Sequence, residues 1–275
     1  MIMIENECNS FAEAYVNALH EISNEPQYIT SPRGKNIAEV TNCTFIINDP
    51  TKCVLKNPHR DNIDKYLAGE LKWYFTGDNK IETISKYSGF WSGIANPDGT
   101  ANSAYGDLIF KRTNEHGWTQ WGWSLMSLLK DKDSRQAVMY FGRQDFQTEH
   151  TKDFPCTCYG QFLIRDNKLH FHIYMRSNDI IRGTTFDVPF FCLLQQNMLL
   201  LLQEKYINLK LGDYYHNATS LHLYEEHFVL AEEILSSNTK NDDEFPMMTV
   251  PLVTEKGNYV SELISPLHCW IRERL

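Results

Sequence analysis

Between residues 61 and 77 apolar side chains recur at helical spacing. Ile63, Tyr66, Leu67, Leu71, Tyr74 and Phe75 fall on one stripe, with Asp61 placed as the N-cap and Gly77 as the stop. Glu70 lies inside that stripe, one turn after Tyr66 and Leu67. A carboxylate facing a core is costly unless it is bonded or functional, so Glu70 reads either as a rim glutamate or as a working acid. Residues 118–130 predict a second amphipathic helix and 137–142 a strand, with the charged turn 131–136 between them. Residues 161–165 and 168–176 predict a hairpin about Asp166-Asn167. In its second strand Leu169, Phe171, Ile173 and Met175 alternate with His170, His172, Tyr174 and Arg176, so one face is apolar and Arg176 ends the polar one. Residues 188–206 read as a buried helix. Residues 209–215 lead into a further strand, with Leu221-His222-Leu223-Tyr224 beyond. The pattern predicts an α+β fold: a mainly antiparallel or mixed β-sheet layered against helices.

Composition narrows the class. A chain of 275 residues, 42% hydrophobic, buries a substantial core, and no Pro/Gly/Ser linker divides it, so a single domain over residues 1–275 is expected. The polar stretch 236–244 reads as an exposed loop. The net charge of -9 leaves no basic footprint for nucleic acid, although one or two arginines suffice for a single phosphate. Residues 1–7 lack the basic region of a secretory signal. The apolar run 198–202, bounded by Gln195, Gln196, Gln203 and Glu204, is too short for a bilayer. Seven irregularly spaced cysteines fit a reduced, cytoplasmic protein better than a disulfide scaffold.

Candidate chemistry gathers between residues 154 and 187. Cys156 reads as a nucleophile if a cation lowers its pKa, or as a small buried hydrophobe at a strand start. Cys156, Cys158, His170 and His172 form C-x-C and H-x-H pairs, but their spacing is not that of common zinc modules, and no metal site is assigned. Arg176 beside Ser177 offers a forked donor and a hydroxyl to a phosphate. Asp179 and Asp187 read as acid/base or base-reading groups, or as turn residues.

Taken in order, these segments resemble the thymidylate synthase superfamily. Phe154-Pro155-Cys156 followed by Gln161-Phe162 is similar to its nucleophile segment, and Arg176-Ser177-Asn178-Asp179 with Gly183 to its R-S-x-D…G segment. His222-Leu223-Tyr224 resembles the H-x-Y that holds the sugar 3′-hydroxyl. Glu70-Leu71-Lys72-Trp73-Tyr74-Phe75 with Gly77 resembles the E-L-x-W-f-x-G helix, and Tyr105-Gly106 the family's Y-G. Arg33-Gly34 stands where an N-terminal phosphate-binding arginine is found. Ser134-Arg135 matches an arginine that crosses a dimer interface to the partner's phosphate.

The resemblance implies a homodimeric, thymidylate synthase-like fold acting on a pyrimidine nucleoside monophosphate with 5,10-methylenetetrahydrofolate. Cys156, Glu70 and Asp179 would be catalytic. Arg33, Arg135, Arg176 and Ser177 would hold phosphate, His222 and Tyr224 the sugar, and Trp91, Asp179 and Gly183 the folate. Three departures stand out: Thr157 replaces the histidine after the nucleophile, Gln136 replaces the second of two paired arginines, and Asp187 replaces the asparagine that reads uracil. The last is similar to the replacement in phage deoxycytidylate hydroxymethylases. Uracil offers an N3–H donor and an O4 acceptor, which an amide matches. Cytosine offers an N4 amino donor and an N3 acceptor, which a carboxyl group carrying one proton matches. The expected reaction is therefore C5 hydroxymethylation of dCMP. CMP hydroxymethylation, dCMP methylation and a catalytically silent nucleotide-binding protein stay open as alternatives. Residues 272–275 do not resemble the synthases' closing tail, which favours hydration over hydride transfer at C5.

Overall fold

The computed structural model describes residues 5–60, 63–260 and 265–275. Alternating side chains build strands β1 (Glu5–Cys8), β2 (Tyr28–Thr30), β3 (Ile37–Ile47), β4 (Leu55–Lys56), β5 (Val138–Tyr140), β6 (Thr157–Arg165), β7 (Lys168–Met175), β8 (Asn178–Asp179), β9 (Lys210–Tyr224) and β10 (Lys240–Asn241). The main sheet is eight-stranded, in the order β1-β3-β9-β7-β6-β5, with β2 on β3 and β8 on β9; β4 and β10 form a separate ribbon. β1 runs parallel to β3, and both β7 and β8 run parallel to β9, so the sheet is mixed. The β6–β7 hairpin turns at Asp166 (φ 49°) and Asn167 (φ 60°), the left-handed pair that a two-residue turn requires.

The helices are α1 (Phe11–Asn24), α2 (Ile63–Thr76), α3 (Ile81–Ile84), α4 (Phe90–Ile94), α5 (Gln120–Lys130), α6 (Thr184–Gln203), α7 (Phe228–Ser236) and α8 (Pro266–Arg274). Helices α1 and α6 pack on the apolar side of the sheet, and α2 and α5 pack on α6. α6 is long and apolar enough to cross a bilayer by length and composition, but 78% of that stretch is buried inside the fold, as in a core helix.

Several boundaries differ from the sequence expectation. Asp61, the expected cap of α2, lies outside the described residues. α5 begins at Gln120 rather than 118, because the Thr119 hydroxyl accepts the Gly122 N–H at 3.1 Å and caps it there. α6 begins one turn before residue 188, so Asp187 sits in its first turn. Residues 210–215 and 221–224 belong to one 15-residue strand, β9, which begins one residue after the expected start. The stretch 236–244 is not only loop, since β10 pairs with β4 within it.

Gln195 and Gln196 do not end an apolar run at a surface; both are buried inside α6. Gln195 Nε2 donates to the carbonyls of Leu169 (2.9 Å), Gly212 (3.0 Å) and Asp213 (3.3 Å), where β9 bulges against β7. Gln196 spans from the Pro50 carbonyl to the Met248 N–H, and Asn197 bonds the backbone of Leu252 and Val253. Three consecutive polar side chains thus tie α6 to four distant segments. Buried amides persist in a core only when bonded in this way.

Candidate active site

The nucleophile candidate, Cys156, immediately precedes β6, and Arg176 follows the last residue of β7, so hairpin pairing brings them together. The Arg176 N–H donates to the Cys156 carbonyl at 2.9 Å. Its guanidinium folds back over the same loop: Nε donates to Pro155 O (3.1 Å), and Nη2 to Phe154 O (2.7 Å) and Cys156 Sγ (3.8 Å). Among the described residues both Nη1 hydrogens remain for an anion. Burial pushes the Cys156 thiol up to about 11, while Arg176 and, more weakly, Arg33 pull it down. Arg33 itself is exposed, in the left-handed region (φ 54°) beside Gly34. Thr157, where the resemblance leads one to expect histidine, bonds the Tyr105 hydroxyl through its own hydroxyl at 3.0 Å. Asp153 anchors the preceding loop by accepting the Ser103 N–H at 2.8 Å.

Glu70 is buried on the inner face of α2. The Tyr66 hydroxyl, one turn earlier, donates to Glu70 Oε1 at 2.6 Å, and Trp91 Nε1 donates to Tyr66 at 3.0 Å. Burial raises Glu70 to about 8 against the lowering effect of Tyr66, and the charge of Asp187 adds to the rise. Asp187 is raised to about 7, chiefly by burial and opposed by its bond from Asn178. The charge of Asp187 acts on Cys156, Glu70 and Tyr105, so two buried carboxyl groups and a thiol lie within reach of one another's fields.

β8 pairs Asp179 with His222 of β9. Asp179 Oδ1 accepts the N–H groups of Ile181 (2.8 Å) and Arg182 (3.0 Å), which fixes the turn into α6 and leaves Oδ2. His222 is buried, edge-on to the Tyr224 ring at 5.1 Å, with a pKa lowered by desolvation. Ser177 is half-buried between Arg176 and Asn178. Gly183 leaves a needed gap: a Cβ there would lie 3.0 Å from Asn178 Nδ2 and 3.2 Å from Asp187 Oδ2. Arg135 is exposed in the turn between α5 and β5.

Sequence reasoning missed Tyr66 as a partner of Glu70, although it sits four residues earlier on the same stripe. It also missed Asn178, which donates to Asp187 Oδ2 at 2.9 Å, and His216, which meets Asn178 Oδ1 at 3.0 Å. No local signal marks that last contact. Among the described residues no group of three or more His, Cys, Asp and Glu side chains is placed to hold a metal ion. His170 instead faces Asp213, and His172 stacks on Tyr215 at 4.0 Å.

A family model described as Thymidylate synthase matches residues 13–264. The chain belongs to the thymidylate synthase family. Deoxycytidylate 5-hydroxymethyltransferases of Enterobacteria phages T4 and T2 are each 28% identical over 215 residues, covering 76% of this chain and 84% of theirs. The fold is similar to thermostable thymidylate synthase A from Bacillus subtilis, with a TM-score of 0.67 at 20% identity over 84% of this chain and 86% of that one. For the thymidylate synthase family these relatives support a folate-dependent one-carbon transferase acting on pyrimidine nucleotides.

Proposed function

We propose that the protein is a homodimeric, cytoplasmic, single-domain enzyme that converts dCMP to 5-hydroxymethyl-dCMP with 5,10-methylenetetrahydrofolate. The observation that carries this reading is Asp187, a buried carboxyl group in the first turn of α6, bonded by Asn178 at 2.9 Å and raised to about 7 by burial, whose charge acts on both Cys156 and Glu70. With one proton it offers a donor to cytosine N3 and an acceptor to the N4 amino group. Against uracil an ionised Asp187 would oppose O4 with a like acceptor, which a buried site rejects strongly.

Arg176 through Nη1, with Ser177 and Arg33, would bind the phosphate, and His222 and Tyr224 the sugar. Cys156 Sγ adds to C6 of the base, and Asp187 carries the charge that develops toward N3 and N4. The donor set beside Glu70 fits a flat folate ring: Tyr66 and Phe186 meet edge to face at 4.6 Å, with Trp91 bonded behind them. Asp179 and the backbone at Gly183 would supply polar contacts to the ring. Methylenetetrahydrofolate, when bound, supplies a one-carbon unit for C5. The C5 hydrogen then leaves as a proton to water that Glu70, held by Tyr66, would order, and a second such water adds to the exocyclic carbon as its hydroxyl while Sγ departs from C6. Departure of Sγ then restores the ring.

The dimer reading draws on the solvent side of the sheet, where Tyr174 and Tyr140 are exposed, and on the exposed Arg135, which would reach the partner's phosphate. Seven free thiols fit a reducing compartment.

The test is the mass of the product after incubation with methylenetetrahydrofolate and each of dCMP, CMP, dUMP and UMP. A gain of CH2O on dCMP is expected. The same gain on CMP alone would assign a ribonucleotide enzyme, and a gain of CH2 a methylase. No product from any nucleotide would leave a binding protein.

A further inference from the structure

Asp187 does not stand alone. Asn178 Nδ2 donates to its Oδ2 at 2.9 Å. The other end of that amide, Oδ1, receives the Thr184 hydroxyl at 2.6 Å and meets His216 Nε2 at 3.0 Å. An amide oxygen can only accept, so His216 carries its proton on Nε2. Its Nδ1 is then the acceptor for the Tyr214 hydroxyl at 2.9 Å. His216 is wholly buried, stacked on Phe45 at 4.6 Å, and desolvation lowers its pKa to about 3, so it stays neutral with one N–H. Every proton therefore points the same way, from Tyr214 to His216 to Asn178 to Asp187 Oδ2. With His216 protonated at Nε2, turning the Asn178 amide over would set its NH2 against the His216 N–H. That is an unpaired clash in a dry core, where such mismatches are most costly. The amide can therefore turn only if the imidazole also changes tautomer.

We propose that Asn178, locked by Thr184, His216 and Tyr214, is a specificity-positioning residue that pins Oδ2 of Asp187 as an acceptor and so fixes which edge of a pyrimidine the site accepts. This rests on the reading that Asp187 faces the base. With Oδ2 pinned, the proton of a half-titrated carboxyl group resides on Oδ1. Only one pose then satisfies cytosine: N4–H to Oδ2 and Oδ1–H to N3. The same lock acts on an asparagine at position 187. Its oxygen takes the Asn178 N–H, which leaves an acceptor opposite uracil O4 and an amino group opposite N3–H. The amide is thereby held in the wrong sense for uracil. The exchange Asp187→Asn alone should abolish cytosine preference without creating uracil preference, and removal of the lock should release the amide to turn.

The experiment measures dissociation constants for dCMP, dUMP, CMP and UMP by calorimetry, and forms the cytosine/uracil ratio in whichever sugar series binds. The proteins are wild type, Asn178→Ala, Asp187→Asn and the double variant. Wild type is expected to favour cytosine at least tenfold, Asn178→Ala to narrow that ratio, Asp187→Asn to bring it near one, and the double variant to favour uracil by tenfold or more. If Asp187→Asn alone reaches the double variant's uracil preference, or Asn178→Ala weakens both bases equally, Asn178 is merely structural and the proposal falls while the base-reading role survives. If neither Asp187→Asn nor the double variant moves the ratio, Asp187 does not read the base and the underlying reading falls. Thr184→Val in the Asp187→Asn background keeps the core filled but removes one restraint on Asn178. It should shift the ratio in the same direction if the alanine variant does not fold. Imidazole 15N shifts of His216 in the wild-type protein supply an independent readout: protonation at Nε2 is expected, and protonation at Nδ1 would reverse the chain of donors and overturn the proposal.

Discussion

Two side chains in the cleft carry charges that their surroundings oppose. Glu70 titrates near 8 in the fold against 4.5 in an open chain. The folded state therefore binds that proton more tightly. The resulting stabilisation is complete below pH 4.5 and is lost as pH rises through 8, at about 1.4 kcal/mol per unit of difference. Glu70→Gln keeps an oxygen for Tyr66 and removes the titration. In thermal unfolding its Tm should gain on that of wild type steadily between pH 5 and pH 8 and level off above, and a constant difference would show that Glu70 is not desolvated in solution. Cys156 presents the opposite balance, a thiol raised by burial and lowered by Arg176. At pH 8 its alkylation by iodoacetamide should be slow and still rising with pH. Arg176→Gln should slow it further, by roughly tenfold for each unit by which the thiol pKa rises. An unchanged rate would mean that the guanidinium does not act on Sγ.

Elements hold this cleft through a few close approaches. A Cβ on Gly106 would lie 1.7 Å from the Tyr74 carbonyl oxygen, so the turn entering Asp107–Lys111 can meet α2 only as glycine. Gly106→Ala should cost about 3 kcal/mol or more in chemical denaturation. Gly93→Ala in α4, where nothing lies within 4 Å, should be neutral or slightly stabilising. Equal effects at the two positions would refute that packing. The same contrast explains what could be read beforehand. Helix α2 and the β6–β7 hairpin follow periods carried by adjacent residues, so their faces, and the placement of Glu70 and Arg176, are visible in the chain itself. The buried amides of Gln195, Gln196 and Asn197 read as polar interruptions, because their partners near residues 50, 169, 212 and 253 are remote in sequence. The Asn178–His216 bond spans 38 positions and is silent to any local pattern. Asp187 was visible as chemistry, but its place in the first turn of α6 depends on the turn fixed by Asp179 and Gly183.

At the scale of the whole molecule, the proposed dimer assigns the exposed Arg135 to the partner's site. Arg135→Ala and Cys156→Ala should each be inactive alone. Mixed under conditions that exchange subunits, they should recover about a quarter of the wild-type rate, because half of the dimers would hold one site with both groups. No recovery, with exchange verified by mass, would confine each site to one chain. The net charge of -9 makes phosphate capture a local matter, so wild-type KM should rise with ionic strength, and Arg176→Gln or Arg33→Gln should raise KM at low salt and flatten that dependence.

The row of donors that ends on Asp187 also has a historical reading. Aspartate and asparagine codons differ at a single nucleotide, so a duplicated gene of this kind could exchange one for the other in one step. With Asn178 held from behind, that step leads to a protein that handles neither pyrimidine well, and selection would meet a valley before the far side. The two lineages on either side of the exchange would then be kept apart by the buried histidine that fixes the amide beneath the reading residue.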